Sequence, residues 1–256
     1  MTQAEKARTF AALHVPGKPL VLYNIWDAGG AKAIAEAGAK AIATGSLSVA
    51  AAHGYADGEA IPLDLVLRIV ARITTTVDLP VTVDFEGAYA EQPEGVAANV
   101  GRLIEAGAIG MNFEDQIVGG TALYSVEAQT SRIAAAREAA AAAEVPFFVN
   151  ARTDLFLKEK DRAKHADLIA EAKDRAAAYT EAGASGVFVP GLVAPELIGM
   201  ITEAASLPVN VLMMNGAPSA SELASLAVAR ISHGPFPYFD AMEVLAARFN
   251  DVSSDT

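Results

Sequence analysis

Apolar runs of strand length alternate with segments of helical spacing along the whole chain. The first of two signals that introduce these runs is a proline directly before the run, at Pro19, Pro80, Pro146 and Pro208. The second is Glu-Ala-Gly-Ala, which occurs at 36–39, 105–108 and 181–184, with a degenerate copy at 226–231. Proline suits the first residue of a strand, and glycine ends a helix in the left-handed conformation. Each signal therefore predicts a passage from helix to strand.

Interleaving the two signals predicts eight strands, near residues 19–24, 41–45, 80–86, 109–114, 146–151, 186–190, 208–213 and 229–233. Helical apolar spacing follows each of them, at 31–37, 63–77, 96–106, 126–142, 162–181, 195–205, 219–227 and 238–249. A further helical segment, Gln3 to Leu13, is expected to cover the amino end of the sheet.

This order of elements predicts the α/β class and a single (β/α)₈ barrel of the TIM type over residues 1–256. The runs are continuous in hydrophobicity, as parallel strands buried on both faces are. The alternative is an open doubly wound sheet, but no glycine-rich dinucleotide fingerprint follows the first strand. No linker or low-complexity tract divides the chain, so we predict one domain.

Charge and composition argue against several classes of function. The formal net charge of -12 argues against a nucleic-acid partner, because phosphate binding needs clustered Lys and Arg. No uncharged run reaches the roughly 18 residues of a membrane span, and no export signal opens the chain. We therefore expect no membrane partner and a cytoplasmic location. The chain has no cysteine, which removes every mechanism that uses a thiol.

Chemistry in such barrels gathers at the carboxyl ends of the strands. The candidates there are acids, amides, a Gly-Ser pair and one arginine: Asn24, Gly45, Ser46, Asp84, Glu86, Glu114, Arg152 and Asn210. Asp84 and Glu86 are two residues apart on a predicted strand and should point the same way. Converging carboxylates repel one another, so the pattern predicts Mg²⁺, or Mn²⁺ in its place, held mostly through water. The alternative is that some of these acids only cap helices or begin polar loops.

Arg152 is the only Lys or Arg that this interpretation places at a strand end. Its planar guanidinium suits a carboxylate, so we expect a small anionic substrate there, with a salt bridge to a neighbouring acid as the alternative. Backbone N–H groups around Gly45 and Ser46 offer a site for a carboxylate or an oxyanion. Asn24 and Asn210 complete the predicted substrate-binding set.

The chain resembles the isocitrate lyase and phosphoenolpyruvate mutase superfamily over nearly its whole length. The resemblance is carried by Asn24–Asp27, Thr44–Ser46, His53–Gly58, Val83–Tyr89, Asn112–Asp115 and Asn150–Thr153. It implies a barrel with a swapped carboxyl-terminal helix, assembled as a homo-oligomer, either a tetramer or a dimer.

The same resemblance implies the site chemistry. It implies Mg²⁺ near four carboxylates, with Asp84 as the direct ligand: Asp57, Asp84, Glu86 and Glu114. Arg152 falls on the family's arginine, and Gly45 with Ser46 falls on its carboxylate clamp. Members share an enolate-like intermediate that the metal and the oxyanion contacts stabilise.

The loop after the fourth strand departs from the family pattern. The isocitrate, methylisocitrate and dimethylmalate lyases carry a Lys-Lys/Arg-Cys-Gly-His stretch there, and this chain has Gln116–Tyr124, with neither Cys nor Lys. The Lys and Asn of the phosphonopyruvate enzymes are also missing. Tyr124 is then a candidate proton donor.

Three functions follow as hypotheses. The first is a Mg²⁺-dependent enzyme that cleaves a C–C bond in a small 2-oxo or 2-hydroxy (di)carboxylate, as a decarboxylase or a lyase. The second is phosphonopyruvate-type P–C bond chemistry, as a mutase or a hydrolase. The third is a metabolite-binding member without catalytic activity.

Overall fold

Eight parallel strands form one sheet in the computed structural model, which describes residues 1–254. The strands are Leu20–Leu22 (β1), Ile42–Ala43 (β2), Val81–Asp84 (β3), Gly110–Glu114 (β4), Phe148–Arg152 (β5), Gly186–Phe188 (β6), Val209–Leu212 (β7) and Arg230–Ser232 (β8). The strand order is β1-β8-β7-β6-β5-β4-β3-β2. A parallel bridge between Ile25 and Thr44 joins the two end strands, which confirms the predicted (β/α)₈ barrel.

Helices surround this sheet. They are Gln3–Ala12 (α1), Ala28–Glu36 (α2), Ser46–Ala52 (α3), Leu63–Thr76 (α4), Pro93–Glu105 (α5), Val126–Ala142 (α6), Leu155–Lys158 (α7), Ile169–Glu181 (α8), Pro195–Ala204 (α9), Ala220–Ser225 (α10) and Phe236–Ser254 (α11). A 3₁₀ helix, Arg162–Leu168, precedes α8.

The structure differs from the predicted elements at several places, of which three concern the region around the site. The third strand ends at Asp84 rather than at residue 86, because Glu86 adopts a left-handed backbone with φ of 49°. The segment 162–181 is a 3₁₀ helix followed by α8, and α3 was not predicted. Since α3 is only 7 residues long, it is too short to show a helical apolar period.

Helix α1 covers the amino end of the barrel, as predicted. The Phe10 side chain is fully buried and meets the Phe148 ring edge-on at 5.3 Å. The Gln3 amide donates hydrogen bonds to the backbone carbonyls of Ile104 and Ala108, both at 2.8 Å. The contacts lie at the starts of β4 and β5, so α1 closes the end opposite to the predicted site.

Helix α11 leaves most of its apolar side chains in solvent. Leu245, Phe249 and Val252 are 64%, 71% and 71% exposed, and Pro237 is the buried residue of this helix. The helix touches the barrel at its first turns, where Tyr238 meets the Trp26 ring at 5.1 Å. Among residues 1–254, no helix is both long and apolar enough to cross a membrane.

His14 links the stability of this end of the barrel to pH. Its ring stacks on Phe148 at 4.2 Å, and its Nδ1 hydrogen-bonds to the Phe10 carbonyl at 2.8 Å. Burial, together with the nearby Arg230 charge, lowers the pKa of His14 to about 3. The unfolded chain therefore binds a proton at His14 below its ordinary pKa of about 6.5, whereas the folded chain stays unprotonated.

We predict that this one proton weakens folding by up to about 1.4 kcal/mol per pH unit below about pH 6. Urea unfolding of the wild type and of His14→Gln between pH 7 and pH 5 measures this contribution. The free energy of unfolding should fall more steeply with decreasing pH in the wild type than in His14→Gln. His53→Gln, at an exposed histidine, is the control and should keep the wild-type slope. Equal slopes for the wild type and His14→Gln would contradict the assignment.

Candidate active site

A cavity of about 270 Å³ opens at the carboxyl ends of the strands. It collects six of the ten residues that the sequence indicated: Asn24, Gly45, Ser46, Asp57, Asp84 and Arg152. Asn112 and Ser232 add polar groups to its lining. The other four predicted residues lie outside this lining: Glu86, Glu114, Tyr124 and Asn210.

Asp84 is held at the cavity wall by three donors. Its Oδ2 accepts from the Ser46 backbone N–H at 3.2 Å and from the Ser46 hydroxyl at 2.9 Å. Its Oδ1 accepts from the Asn112 amide at 3.2 Å. Protein donors alone therefore define the orientation of the carboxylate, as a preorganised metal ligand requires.

Most N–H groups of the Arg152 guanidinium contact carboxylates of the protein. Its Nε and Nη2 donate to the two oxygens of Asp154 at 2.6 and 2.9 Å, and its Nη1 lies 3.0 Å from Glu114 Oε2. Asp84 is 3.8 Å from the same Nη1. Burial alone would lower the pKa of Arg152, but these three carboxylates raise it well above the usual value. The salt-bridge alternative is thus observed, and Asp154 occupies the bidentate face formed by Nε and Nη2.

The site carries more negative than positive charge. Burial raises the pKa of Glu114, and Asp154, Asp84 and Glu86 raise it further against the opposing effect of Arg152. Burial also raises the pKa of Glu86, to about 7, with Asp84 and Asp57 adding to the shift. The cost of desolvation and the Asp84 charge raise the pKa of Asp57. A cation near these groups would relieve their repulsion.

Glu86 does not share a strand face with Asp84. The alternation of side chains stops where β3 ends, so the strand-face argument does not apply to Glu86, although the Asp84 and Glu86 side chains both border one small cavity. Instead, Glu86 Oε1 accepts backbone N–H bonds from Gly58 and Glu59, both at 3.0 Å. Glu86 therefore fastens the loop that carries Asp57 to the end of β3.

The donor set fits a hydrated divalent cation better than a closed protein cage. Within residues 1–254, no group of three or more His, Asp or Glu side chains is close enough to enclose a metal ion. Mg²⁺ usually keeps several waters and binds one or two carboxylates directly. The oriented Asp84, with Asp57, Glu86 and Glu114 in electrostatic reach of it, is consistent with that mode.

The residues predicted to bind a substrate carboxylate use several of their hydrogen-bonding groups within the protein. The Gly45 N–H donates to the Ile25 carbonyl at 3.2 Å, and the Ser46 N–H is used by Asp84. Asn24 Oδ1 accepts from the N–H groups of His233 and Gly234, both at 2.9 Å, while its amide donates to the Thr44 carbonyl. Asn24 thereby ties β1 to the ends of β2 and β8 and sets the rim of the cavity.

Tyr124 and Asn210 are not brought to the cavity. The Tyr124 ring lies 4.1 Å from the Arg132 guanidinium and borders a neighbouring cavity with Glu59 and Tyr89. In this arrangement it is not placed to donate a proton in the central cavity. Asn210 is buried inside the barrel, where its amide donates to Ser232 Oγ at 3.1 Å.

A polar network inside the barrel escaped the sequence analysis. Arg230 is fully buried and donates to Asn112 Oδ1 at 3.0 Å, as does the Asn150 amide at 2.9 Å. With its oxygen taken twice, Asn112 must turn its amide nitrogen toward Asp84. Side-chain alternation along the strands could have indicated this network. It places Asn112 on the same face of β4 as Glu114, and Asn150 on the same face of β5 as Arg152.

Asp115 supports the site from behind. It is fully buried and accepts from the Asp154 N–H at 3.0 Å, the Tyr179 hydroxyl at 2.8 Å and Arg175 Nη1 at 3.2 Å. The Asp115 carboxylate therefore fixes the backbone of Asp154, whose side chain in turn holds Arg152.

The comparisons with known proteins agree on one family. Residues 10–253 match the sequence model of the family described as phosphoenolpyruvate phosphomutase. A Burkholderia cenocepacia J2315 protein, described provisionally as a phosphonomutase, has a crystal structure that covers 98% of this chain and 99% of its own. Its identity is 48% and its TM-score is 0.95.

Two characterised proteins are also similar in sequence. The 2-methylisocitrate lyase of Escherichia coli strain K12 is 30% identical over 263 residues, covering 94% of this chain and 85% of the lyase. The oxaloacetate decarboxylase of Paraburkholderia xenovorans strain LB400 is 31% identical over 183 residues, covering 69% of this chain and 56% of the decarboxylase.

The buried position of Asp115 yields a stability prediction. Asp115→Ala leaves Arg175 without its buried partner and should lower the free energy of unfolding by about 3–5 kcal/mol. Glu171→Ala is the matched control, because Glu171 binds the same guanidinium at 2.9 Å from a side chain that is 48% exposed. That loss should stay near or below about 1 kcal/mol. Urea titration of both variants decides, and equal losses would refute the supporting role of Asp115.

Proposed function

Since the chain belongs to the phosphoenolpyruvate phosphomutase family, within the isocitrate lyase/phosphoenolpyruvate mutase superfamily, we propose that it is a Mg²⁺-dependent carbon–carbon lyase. Its substrate would be a small 2-oxo or 2-hydroxy carboxylate or dicarboxylate, cleaved through an enolate. The observation that carries this proposal is the carboxylate of Asp84, oriented by Ser46 and Asn112 on the wall of a cavity that also contains Asp57 and Arg152.

In this proposal Asp84 binds the metal ion directly, with Mn²⁺ able to replace Mg²⁺. Asp57, Glu86 and Glu114 would contact it through water. The bound ion supplies Lewis-acid stabilisation of negative charge on the substrate oxygens. Arg152 presents its remaining N–H groups beside Asp84, at a distance of 3.8 Å from that carboxylate. It is therefore placed to bind an anionic substrate beside the proposed metal ligand.

The absence of cysteine ranks the two cleavage reactions. Retro-aldol cleavage of an isocitrate releases a carbanion that must be protonated in the closed site, and the chain offers no thiol for that step. Decarboxylation of an oxaloacetate-like acid leaves an enolate whose protonation by water is less demanding. Sequence similarity does not rank the two reactions, because a 2-methylisocitrate lyase and an oxaloacetate decarboxylase are 30% and 31% identical to this chain, so the order rests on the missing thiol.

Phosphonate chemistry is the second candidate. It is favoured by the 48% identity to a protein described provisionally as a phosphonomutase. Against it, Arg152 is the one Lys or Arg among residues 1–254 that lines the central cavity, and three carboxylates surround it. A phosphonate dianion would then depend almost entirely on the metal for charge compensation. If the protein catalyses neither reaction, the remaining hypothesis is a metabolite-binding protein without catalytic activity.

We also propose a homo-oligomer, a dimer or a tetramer, in which α11 packs on a second copy of the chain. The support is the row of exposed apolar side chains on this helix, Val244, Leu245, Phe249 and Val252. Burial of such a surface is the usual source of stability in obligate interfaces. A swapped helix is the arrangement that leaves a helix of this kind uncovered within its own subunit.

Metal dependence gives the first test of the proposed activity. Calorimetric titration of the wild type with oxalate, a planar mimic of the pyruvate enolate, should show binding with Mg²⁺ and none after EDTA treatment. Asp84→Ala should weaken Mg²⁺ binding by more than about 100-fold, since loss of outer-shell partners alone typically costs about 10–100-fold. Asp64→Ala, which removes an exposed carboxylate on α4, is the control and should bind like the wild type. Oxalate binding that survives EDTA would refute the metal site.

The missing thiol gives the second test. We predict no meaningful cleavage of isocitrate or 2-methylisocitrate, because general acid–base help is worth about 10²–10⁴-fold and the lyase acid is missing. A coupled assay for glyoxylate or pyruvate, with Mg²⁺ present, measures both reactions, and oxaloacetate decarboxylation in the same buffer is the positive arm. Turnover of either isocitrate at about 1 s⁻¹ or faster would show that another group replaces the thiol.

A further inference from the structure

Ser232, the last residue of β8, carries a polar side chain that the proposed function does not use. Within residues 1–254, the other cavity-lining residues from β7 onward are apolar or glycine: Leu212, Met214, Gly234, Pro235 and Phe236. In the strand order, two strands separate β8 from β5 in one direction, and two separate it from β3 in the other. Ser232 therefore lies on a different side of the barrel from Arg152 and Asp84.

The hydrogen bonds of Ser232 prepare its hydroxyl group to donate to a ligand. A serine hydroxyl has one donor and two acceptor lone pairs. Ser232 Oγ accepts from Arg230 Nε at 3.3 Å and from the Asn210 amide at 3.1 Å. Its own hydrogen is directed to Asn210 Oδ1 at 3.3 Å, which is longer than the usual O–H···O distance of about 2.7–2.8 Å. An anion in the cavity is a stronger acceptor for this hydrogen than the Asn210 amide oxygen.

Arg230 places a buried positive charge behind Ser232. Its side chain is fully buried, and it donates to two neutral groups, Ser232 Oγ and Asn112 Oδ1. Its Nη1 has no hydrogen-bond partner within the described part of the chain. Burial lowers the pKa of Arg230 to about 9, against the opposing effect of the Asp84 charge, so the guanidinium stays charged at neutral pH. A buried charge with neutral partners is unfavourable, and an anion bound at Ser232 would reduce this cost.

We propose that the Ser232 hydroxyl binds the far carboxylate of a dicarboxylate substrate, with Arg230 supplying positive charge behind it. This inference rests on the proposed function, which places the 2-oxo or 2-hydroxy acid end beside Asp84 and Arg152. It favours the dicarboxylates among the proposed substrates and makes Ser232 a substrate-binding residue. A single hydroxyl donor suits a carboxylate better than a phosphonate, which carries more charge on three oxygens.

The first test compares two 2-hydroxy acids with the same number of carbons. Malate has a carboxylate where 2-hydroxybutanoate has a methyl group. Calorimetric titration of the intact protein with Mg²⁺ should show malate binding at least about tenfold tighter, because a hydrogen bond to a charged group favours binding by roughly 10–150-fold. Equal or tighter binding of 2-hydroxybutanoate would overturn the inference.

A variant pair tests Ser232 directly. Ser232→Ala removes the hydroxyl and should weaken malate binding by about tenfold or more, while 2-hydroxybutanoate binding changes by less than about twofold. Ser185→Ala is the matched control, because Ser185 Oγ also accepts from an arginine, Arg137 Nη2 at 2.8 Å, but lies at the amino end of β6. This variant should keep the wild-type affinities for both acids. If Ser232→Ala folds and binds malate like the wild type, the inference is wrong.

Oxalate distinguishes failure of this inference from failure of the proposed function. Both of its carboxylates take the place of the 2-oxo acid end, so Ser232→Ala should bind oxalate like the wild type. Absence of Mg²⁺-dependent oxalate binding by the wild type would refute the proposed function and this inference with it. Normal oxalate binding without a preference for malate would refute only the role of Ser232. If Ser232→Ala does not fold, the wild-type comparison of the two acids still decides.

Discussion

The compensation of buried charge around one guanidinium is the constraint on which this site depends. Arg152 is flanked by Asp154, Glu114 and Asp84. Asp84 is positioned by Ser46 and Asn112. Asp154 is held through its backbone by Asp115, which the Arg175 side chain of α8 neutralises. Charged side chains of alternating sign therefore run from helix α8 to the cavity. The net charge that remains at the cavity is negative.

That excess of negative charge is unfavourable for an anion that enters the cavity without a cation. The N–H groups of Gly45 and Ser46 and the amide of Asn24 are engaged within the protein. A barrel that saturates its own donors gains rigidity, because each engaged group has one orientation. The same saturation leaves an incoming anion few partners, so under the proposed function a bound cation would supply the missing positive charge.

Local patterns in the sequence were sufficient for the barrel but not for its interior. Proline and Glu-Ala-Gly-Ala mark where strands begin, because both signals act through the backbone of adjacent residues. By contrast, Arg230 meets Asn112 across the barrel, 118 positions apart, and only closure of the sheet brings them together. The third strand was predicted to continue to Glu86, but the Glu86 backbone has positive φ. Glutamate rarely adopts this conformation, so the residue type gave no indication of it.

Phe236 belongs to two structures at once. It is the first residue of α11 and also part of the cavity wall. The rest of α11 leaves its apolar side chains in solvent, so a surface that packs on this helix would bind an element that also forms part of the cavity wall. If ligand binding and packing of α11 favour different positions of Phe236, the two events are thermodynamically linked, and each changes the affinity of the other by the same factor. Helix α11 thus connects an exposed apolar surface to the cavity wall within one element.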